Sequence, residues 1–232
     1  DFNKKKEIVS ALKLIDKSSL NFNNQGNSAK KYVLKNYNLS LMLNSYIDIY
    51  KDLLNIKYKK MKLLRLATTL NATSAPYNQF SLGFKETIDQ TFCSLLQHDI
   101  LVDKNMKGFH GGGSILKMLK LVRGLVNKNK YDVFHVHSGL TGLIFILALF
   151  PFRFGLLKKT VFTLHNSWSV LKIRNQVLVF IVMLASRKVF TCGISSLESI
   201  PTVINYFVSK KTKAIVNGFN HKRIDLVEKD KS

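Results

Sequence analysis

From Met61 onward, short apolar runs alternate with longer stretches whose apolar positions recur every three or four residues. The short runs read as strands and the longer stretches as helices. The spacing predicts strands near 62–69, 97–102, 132–137, 160–165, 188–193 and 213–216. It predicts helices near 79–91, 114–128, 140–150, 171–186 and 196–207. Strands and helices that alternate in this way build a mostly parallel α/β sheet covered by helices on both faces.

The first 58 residues follow another pattern. Ile8, Leu12 and Ile15 mark one helix. Asn21 to Asn27, with Gly26 inside it, reads as a polar turn. Ala29, Val33 and Tyr37 share one side of a second helix, and Leu43, Ile47, Tyr50 and Leu54 share a face of a third. Two or three helices without a strand make a poor independent core at this length, so the segment needs something to pack against. The expected organisation is a helical segment at 1–58 and an α/β domain at 61–232. The Met61-Lys62-Leu63-Leu64 stretch looks like the true start of a protein, and the chain as a whole, opening on Asp1 and closing in a charged stretch after Gly218, reads as a fragment.

Composition adds three points. At 232 residues and 46% apolar content the chain can bury a real core. Cys93 and Cys192 lie far apart in no ligand-like spacing and read as free thiols of a reducing compartment. The net charge of +22 attracts phosphates, anionic lipid or nucleic acid. Lys and Asn are abundant everywhere, however, and no arginine-rich arm or regular basic stripe appears, so nucleic acid is not an expected partner. The apolar stretches at 142–152 and 177–185 are half the length of a membrane span and read as helices buried on the sheet.

Two strands end alike. Val133-Phe134-His135-Val136-His137-Ser138 and Val161-Phe162-Thr163-Leu164-His165-Asn166-Ser167 both break from an apolar run into a histidine and small polar residues. Parallel sheets bind ligands at that edge. His135 and His137 point to one face, with His137 at the cleft and His135 a hydrogen-bonded core residue. Two histidines at this spacing hold a metal only with further ligands, and no Cys, Asp or Glu cluster adjoins them, so no metal site is expected. Asn166, Ser167 and Trp168 either contact a ligand or form a turn with Trp168 as its packing anchor. His110-Gly111-Gly112-Gly113-Ser114 reads as a flexible turn with Ser114 as N-cap. Ser195 with Glu198 reads as a capping box.

Taken in order, several of these stretches resemble glycosyltransferases of the two-Rossmann GT-B fold, family-4 type. Tyr131-Asp132-Val133-Phe134-His135-Val136-His137-Ser138, Thr163-Leu164-His165, Cys192-Gly193-Ile194-Ser195-Ser196 and Ile215-Val216-Asn217-Gly218-Phe219-Asn220 each look like a motif of the N-terminal half of such enzymes. Residues 61–232 are thus similar to one Rossmann-like half. Gly26, Ala29, Val33, Tyr37, Met42, Tyr46 and Tyr50 resemble the last helices of another such enzyme, so 1–58 resembles a C-terminal tail.

The resemblance implies a retaining, metal-free hexosyl transfer from a nucleotide-sugar co-substrate to a glycan or lipid-linked acceptor. It places His165 beside the reacting centre as the catalytic candidate. His137, Ser138, Asn166, Tyr77 and Asn78 are the acceptor candidates, and Asn217-Gly218 leads to the interdomain hinge. The family's donor half carries two glutamates separated by seven residues. Glu7, Glu86, Glu198 and Glu228 do not form that pair, so the donor site is expected to be missing and the chain inactive alone. The expected setting is cytoplasmic, with peripheral contact at the inner face of an anionic membrane and no bound cofactor. The alternative is a non-catalytic Rossmann-like module that binds a polyanion or an anionic membrane. A dinucleotide enzyme would need Gly-x-Gly-x-x-Gly after the first strand, and residues 70–83 lack it.

Overall fold

The computed structural model describes residues 19–54, 60–70, 88–96 and 107–218. Contacts divide the chain into two compact units, Asp1–Asn38 with Phe219–Ser232, and Leu39–Gly218. The described part of the first unit is helix α1, Ser19–Asn36, and the two residues after it. The polar stretch at Asn21 to Asn27 therefore lies within a helix and does not form a turn. Beyond its end, the Tyr37 N–H donates to Val33 O at 2.8 Å, and the Tyr32 and Tyr37 rings lie 6.2 Å apart. The helix expected around Ile8 to Ile15 falls outside the described residues.

The second unit opens with α2, Leu39–Leu54. Then come β1 Met61–Ala67, β2 Ile88–Ser94, β3 Lys107–His110, α3 Ile115–Lys128, β4 Val133–Val136 and α4 Gly139–Leu149. β5 Thr160–Leu164, α5 Ile173–Ala185, β6 Lys188–Thr191, α6 Ile194–Glu198, α7 Thr202–Val208 and β7 Thr212–Ala214 complete it. All neighbouring strands are parallel, in the order β3-β2-β1-β4-β5-β6-β7. The chain order reverses between β1 and β4, and a doubly wound sheet opens a crevice at such a switch point.

Period-two alternation sorts the side chains. Leu64, Leu66, Phe134, Val136, Phe162, Leu164 and Val189 face α3, α4 and α5 in the larger core. Met61, Leu63, Val133, Val161, Phe190 and Ile215 face the other way, where Met42, Leu43, Tyr46 and Tyr50 of α2 cover them. Gly142 lets α4 and α5 approach closely, because a Cβ there would stand 2.5 Å from a methyl of Val182.

Three further differences from the sequence expectations concern the elements of this unit. Residues 88–91, expected as the end of a helix, belong to β2, which is buried on both faces. β3 was not expected at all. The helix expected at 196–207 is two short helices, because Pro201 lacks the N–H that would continue the first. The strand expected at 97–102 lies outside the described residues.

Candidate functional site

At the carboxyl ends of β1, β4 and β5 a cavity of about 270 Å³ opens, and Thr68, His137, Ser138, His165, Asn166 and Asn175 supply its polar lining. Each is placed by the end of an element. The His137 N–H donates to Leu66 O at 2.8 Å, which carries the β1–β4 ladder one residue past the strand. Ser138 is the N-cap of α4, and its Oγ accepts from the Thr141 N–H at 3.3 Å and from Thr68 Oγ1 at 2.8 Å. That cap occupies much of its hydrogen-bonding capacity. Asn166 stands exposed on the rim.

Beneath the cavity a polar chain crosses the sheet on the face that α2 covers. It starts at Arg65, the largest fully buried side chain, 1% exposed. Arg65 Nε donates to Gln90 Oε1 at 2.8 Å. Its Nη1 donates to His135 Nδ1 at 2.8 Å and to His137 Nε2 at 3.3 Å. Its Nη2 donates to Tyr50 Oη at 3.4 Å, and Tyr50 Oη lies 2.6 Å from His135 Nδ1. His135 Nε2 lies 2.7 Å from Thr163 Oγ1, His137 Nδ1 lies 3.0 Å from His165 Nε2, and His165 Nδ1 lies 3.2 Å from Cys192 Sγ.

A guanidinium has only donors, and that fixes the direction of every bond after it. Burial, with Arg65 and the other imidazoles adding to it, holds His135 and His137 well below the usual histidine range. Burial pulls His165 down to about 4. All three rings are therefore neutral at pH 7. His135 Nδ1 and His137 Nε2 must accept from Arg65, so His135 carries its proton on Nε2 and His137 on Nδ1. His137 then donates to His165 Nε2, which leaves the His165 proton on Nδ1, aimed at sulfur. Burial pushes the Cys192 thiol up to about 11, opposed by a hydrogen bond with Asn217, so the chain ends on a neutral thiol.

The structure brings together His137, Ser138, His165 and Asn166 of the expected site. Tyr77 and Asn78 fall outside the described residues. The Asn217 N–H donates to Cys192 O at 3.3 Å, and the Gly218 N–H reaches Met42 Sδ at 3.2 Å, so the expected hinge leaves from the edge of the site. Trp168 is a packing anchor, 5% exposed in the larger core. Ser114 caps α3, and Gly112 and Gly113 take φ of 60° and 84° in the turn before it. Ser195 lies inside α6 and caps nothing, because Gly193 holds the N-cap position. The sequence reading missed Arg65, Thr163 and the link from His165 to Cys192.

Among the described residues no group of three or more His, Cys, Asp or Glu converges to hold a metal ion. A larger depression of about 580 Å³ lies at the amino ends of the strands, among Lys60, Lys62, Lys130, Arg153 and Lys159. It contains no histidine and sits at the end of the sheet opposite the crevice.

No family model and no curated protein matches the sequence. Among solved structures, the fold is similar to that of "Sucrose-phosphate synthase (tll1590) from Thermosynechococcus elongatus", with a TM-score of 0.51 at 13% identity. The match covers 69% of this chain and 49% of that one, so this chain spans about half its length. The α/β architecture, a seven-stranded parallel sheet flanked by helices, is Rossmann-like, as in one half of a GT-B fold.

Proposed function

We propose that this chain is the acceptor-binding half of a nucleotide-sugar-dependent glycosyltransferase that transfers a hexose to a glycan or lipid-linked acceptor. The observation that carries the reading is a pair of neutral histidines, His137 and His165, at the carboxyl ends of neighbouring strands on the crevice of a doubly wound sheet. Likeness of fold to a sucrose-phosphate synthase supports it. Donor recognition belongs to a second lobe outside these 232 residues, and the isolated chain binds acceptor without turnover. Transfer proceeds with retention and without a metal, at the cytoplasmic face of the membrane.

In this reading His165 acts by donating a hydrogen bond. Its Nε2 lone pair is engaged by His137, which rules it out as a general base. Its Nδ1–H rests on sulfur, a weak acceptor, and a sugar hydroxyl or ring oxygen competes well for that proton. The imidazole orients the sugar while closure of the two lobes aligns donor and acceptor. Asn166 and Asn175 offer further hydrogen bonds on the same wall beside the Ser138 cap, and Tyr77 and Asn78 are further acceptor candidates.

The test uses the protein joined to its donor lobe, with a panel of nucleotide sugars and labelled glycan or lipid-linked acceptors. Labelled product is expected. His165→Ala should lower kcat about a hundredfold, the scale of losing one positioned donor. Absence of turnover with every donor, or turnover indifferent to His165→Ala, would refute the proposal. The second reading, a polyanion-binding module, draws on the +22 charge. It predicts tight, salt-sensitive polyphosphate binding that His165→Ala leaves intact, with no binding of neutral sugars.

A further inference from the structure

α5 buries Val179, Val182 and Met183, which are 5%, 1% and 0% exposed. On its opposite side Ile173, Val177, Ile181 and Leu184 are 75%, 52%, 39% and 44% exposed. At 100° per residue these four fall within an arc of about 80°, and the helix is about 20 Å long. Single exposed apolar residues are ordinary on a protein surface. Four in register along an entire helix form a continuous exposed apolar face, the kind of surface that marks an interaction site. Asn175 and Leu178 line the cavity from another side of the same helix, so the stripe is a surface separate from the candidate site.

Charge decides what covers it. Between Lys107 and Gly218 there are sixteen Lys and Arg, and Asp132 and Glu198 are the only acidic residues. Lys172 and Arg174 stand exposed at the start of the stripe and Arg187 just past its end. Lys211 Nζ donates to Leu184 O at 2.8 Å and to Ser186 O at 2.9 Å, which places a further cation at the helix C-terminus. A second copy would bring two strongly basic faces together. An anionic bilayer takes up both the apolar side chains and the cations. α5 has 13 residues, and no described helix is long and apolar enough to cross a membrane.

We infer that the outer face of α5 docks this protein on an anionic lipid bilayer, the helix lying in the headgroup plane with Ile173, Val177, Ile181 and Leu184 at the acyl boundary. Lys172, Arg174 and Arg187 then meet the anionic headgroups. Docking rests on the helical layer and needs no sugar chemistry, so a failed vesicle assay leaves the proposed transfer standing.

The test is sedimentation of the full chain with phosphatidylcholine vesicles, with and without phosphatidylglycerol. Binding is expected only to the anionic vesicles, weakening as salt rises. The Val177→Glu/Ile181→Glu variant should bind at least tenfold more weakly with an unchanged circular dichroism spectrum. Fluorescence of Ile181→Trp, which keeps the face apolar, should be quenched by lipids brominated on their acyl chains. No vesicle binding, full binding by the double glutamate variant, or an unquenched Trp at 181 overturns the inference. So does a dimer in solution that the double variant makes monomeric, since a second copy would then cover the stripe.

Discussion

Arg65 determines which nitrogen of each neighbouring imidazole carries a proton. The tautomers are directly measurable: long-range 15N–1H correlation spectra at neutral pH should show His135 as the Nε2–H form, and His137 and His165 as Nδ1–H forms. In Arg65→Met that pattern should be lost, with a destabilisation of about 2–4 kcal/mol, because Gln90 and the accepting nitrogens of His135 and His137 lose their donor while still buried. An unchanged spectrum in the variant would remove Arg65 from the chain of cause. Titration gives a second check. The unfolded chain protonates these histidines below about pH 6.5, while the folded rings stay neutral, His165 until about 4. The unfolded state then binds more protons, so stability is full above that pH and falls as the solution is acidified toward 4. Each histidine adds about 1.4 kcal/mol per pH unit to the slope. Urea midpoints measured near neutral pH and again near pH 5 should fall on acidification, and a flat profile would contradict the buried neutral state. The strand-end histidines were legible in the sequence because each breaks an apolar run. Arg65 was not, since beside Lys62 it looks like a second solvated charge. The two are three apart and so lie on opposite faces of the strand, and only the register, which pairs Arg65 with His135, shows that one of them is buried.

Helix contacts decide the sign of glycine substitutions here. Gly124→Ala places its methyl where nothing lies within 4 Å, so it should stabilise α3 by about 0.5–1 kcal/mol. Gly142→Ala gains the same helix propensity but drives its Cβ to 2.5 and 2.6 Å from the two methyls of Val182, itself 1% exposed. The expected net result is a loss of about 1–3 kcal/mol from overpacking. Thermal denaturation of the two variants side by side checks the pair, and equal shifts would mean that α4 and α5 are not this close. The strands that the sequence revealed are short runs apolar on both faces, such as β4 and β5. β2 misled because Asp89, Gln90 and Thr91 follow one another in a strand buried on both sides, where Gln90 is a partner of Arg65 and not a solvent contact. β3 has four residues, largely uncovered, and gives periodicity nothing to register.

At the scale of the whole unit, the sheet depends on a helix that precedes its first strand. α2 buries Met42, Leu43, Tyr46 and Tyr50 over Met61, Leu63, Val133, Val161, Phe190 and Ile215. Four such side chains at about 1.5–3 kcal/mol each contribute roughly 6–12 kcal/mol, as much as the net stability of a typical domain. Tyr46 and Tyr50 also close the polar chain, each with its ring within 6 Å of His135. The Lys188–Asp52 ion pair at 3.5 Å is exposed and adds little. The sequence reading separated residues 1–58 from 61–232, because the helical pattern and the strand pattern meet at Met61. In the folded chain Leu39–Gly218 is one compact unit. A protein that starts at Leu39 should therefore unfold cooperatively, with a midpoint near that of the full chain. One that starts at Met61 leaves an apolar face and a buried guanidinium open to water, and should bind a hydrophobic dye and melt without a cooperative transition. Adding the 39–54 peptide in trans should restore the transition, through the same four side chains, and a Tyr46→Ala/Tyr50→Ala peptide should not. If the chain from Met61 melts as sharply as the full protein, α2 is an accessory to this sheet and the polar chain beneath the cavity is held from the strands alone.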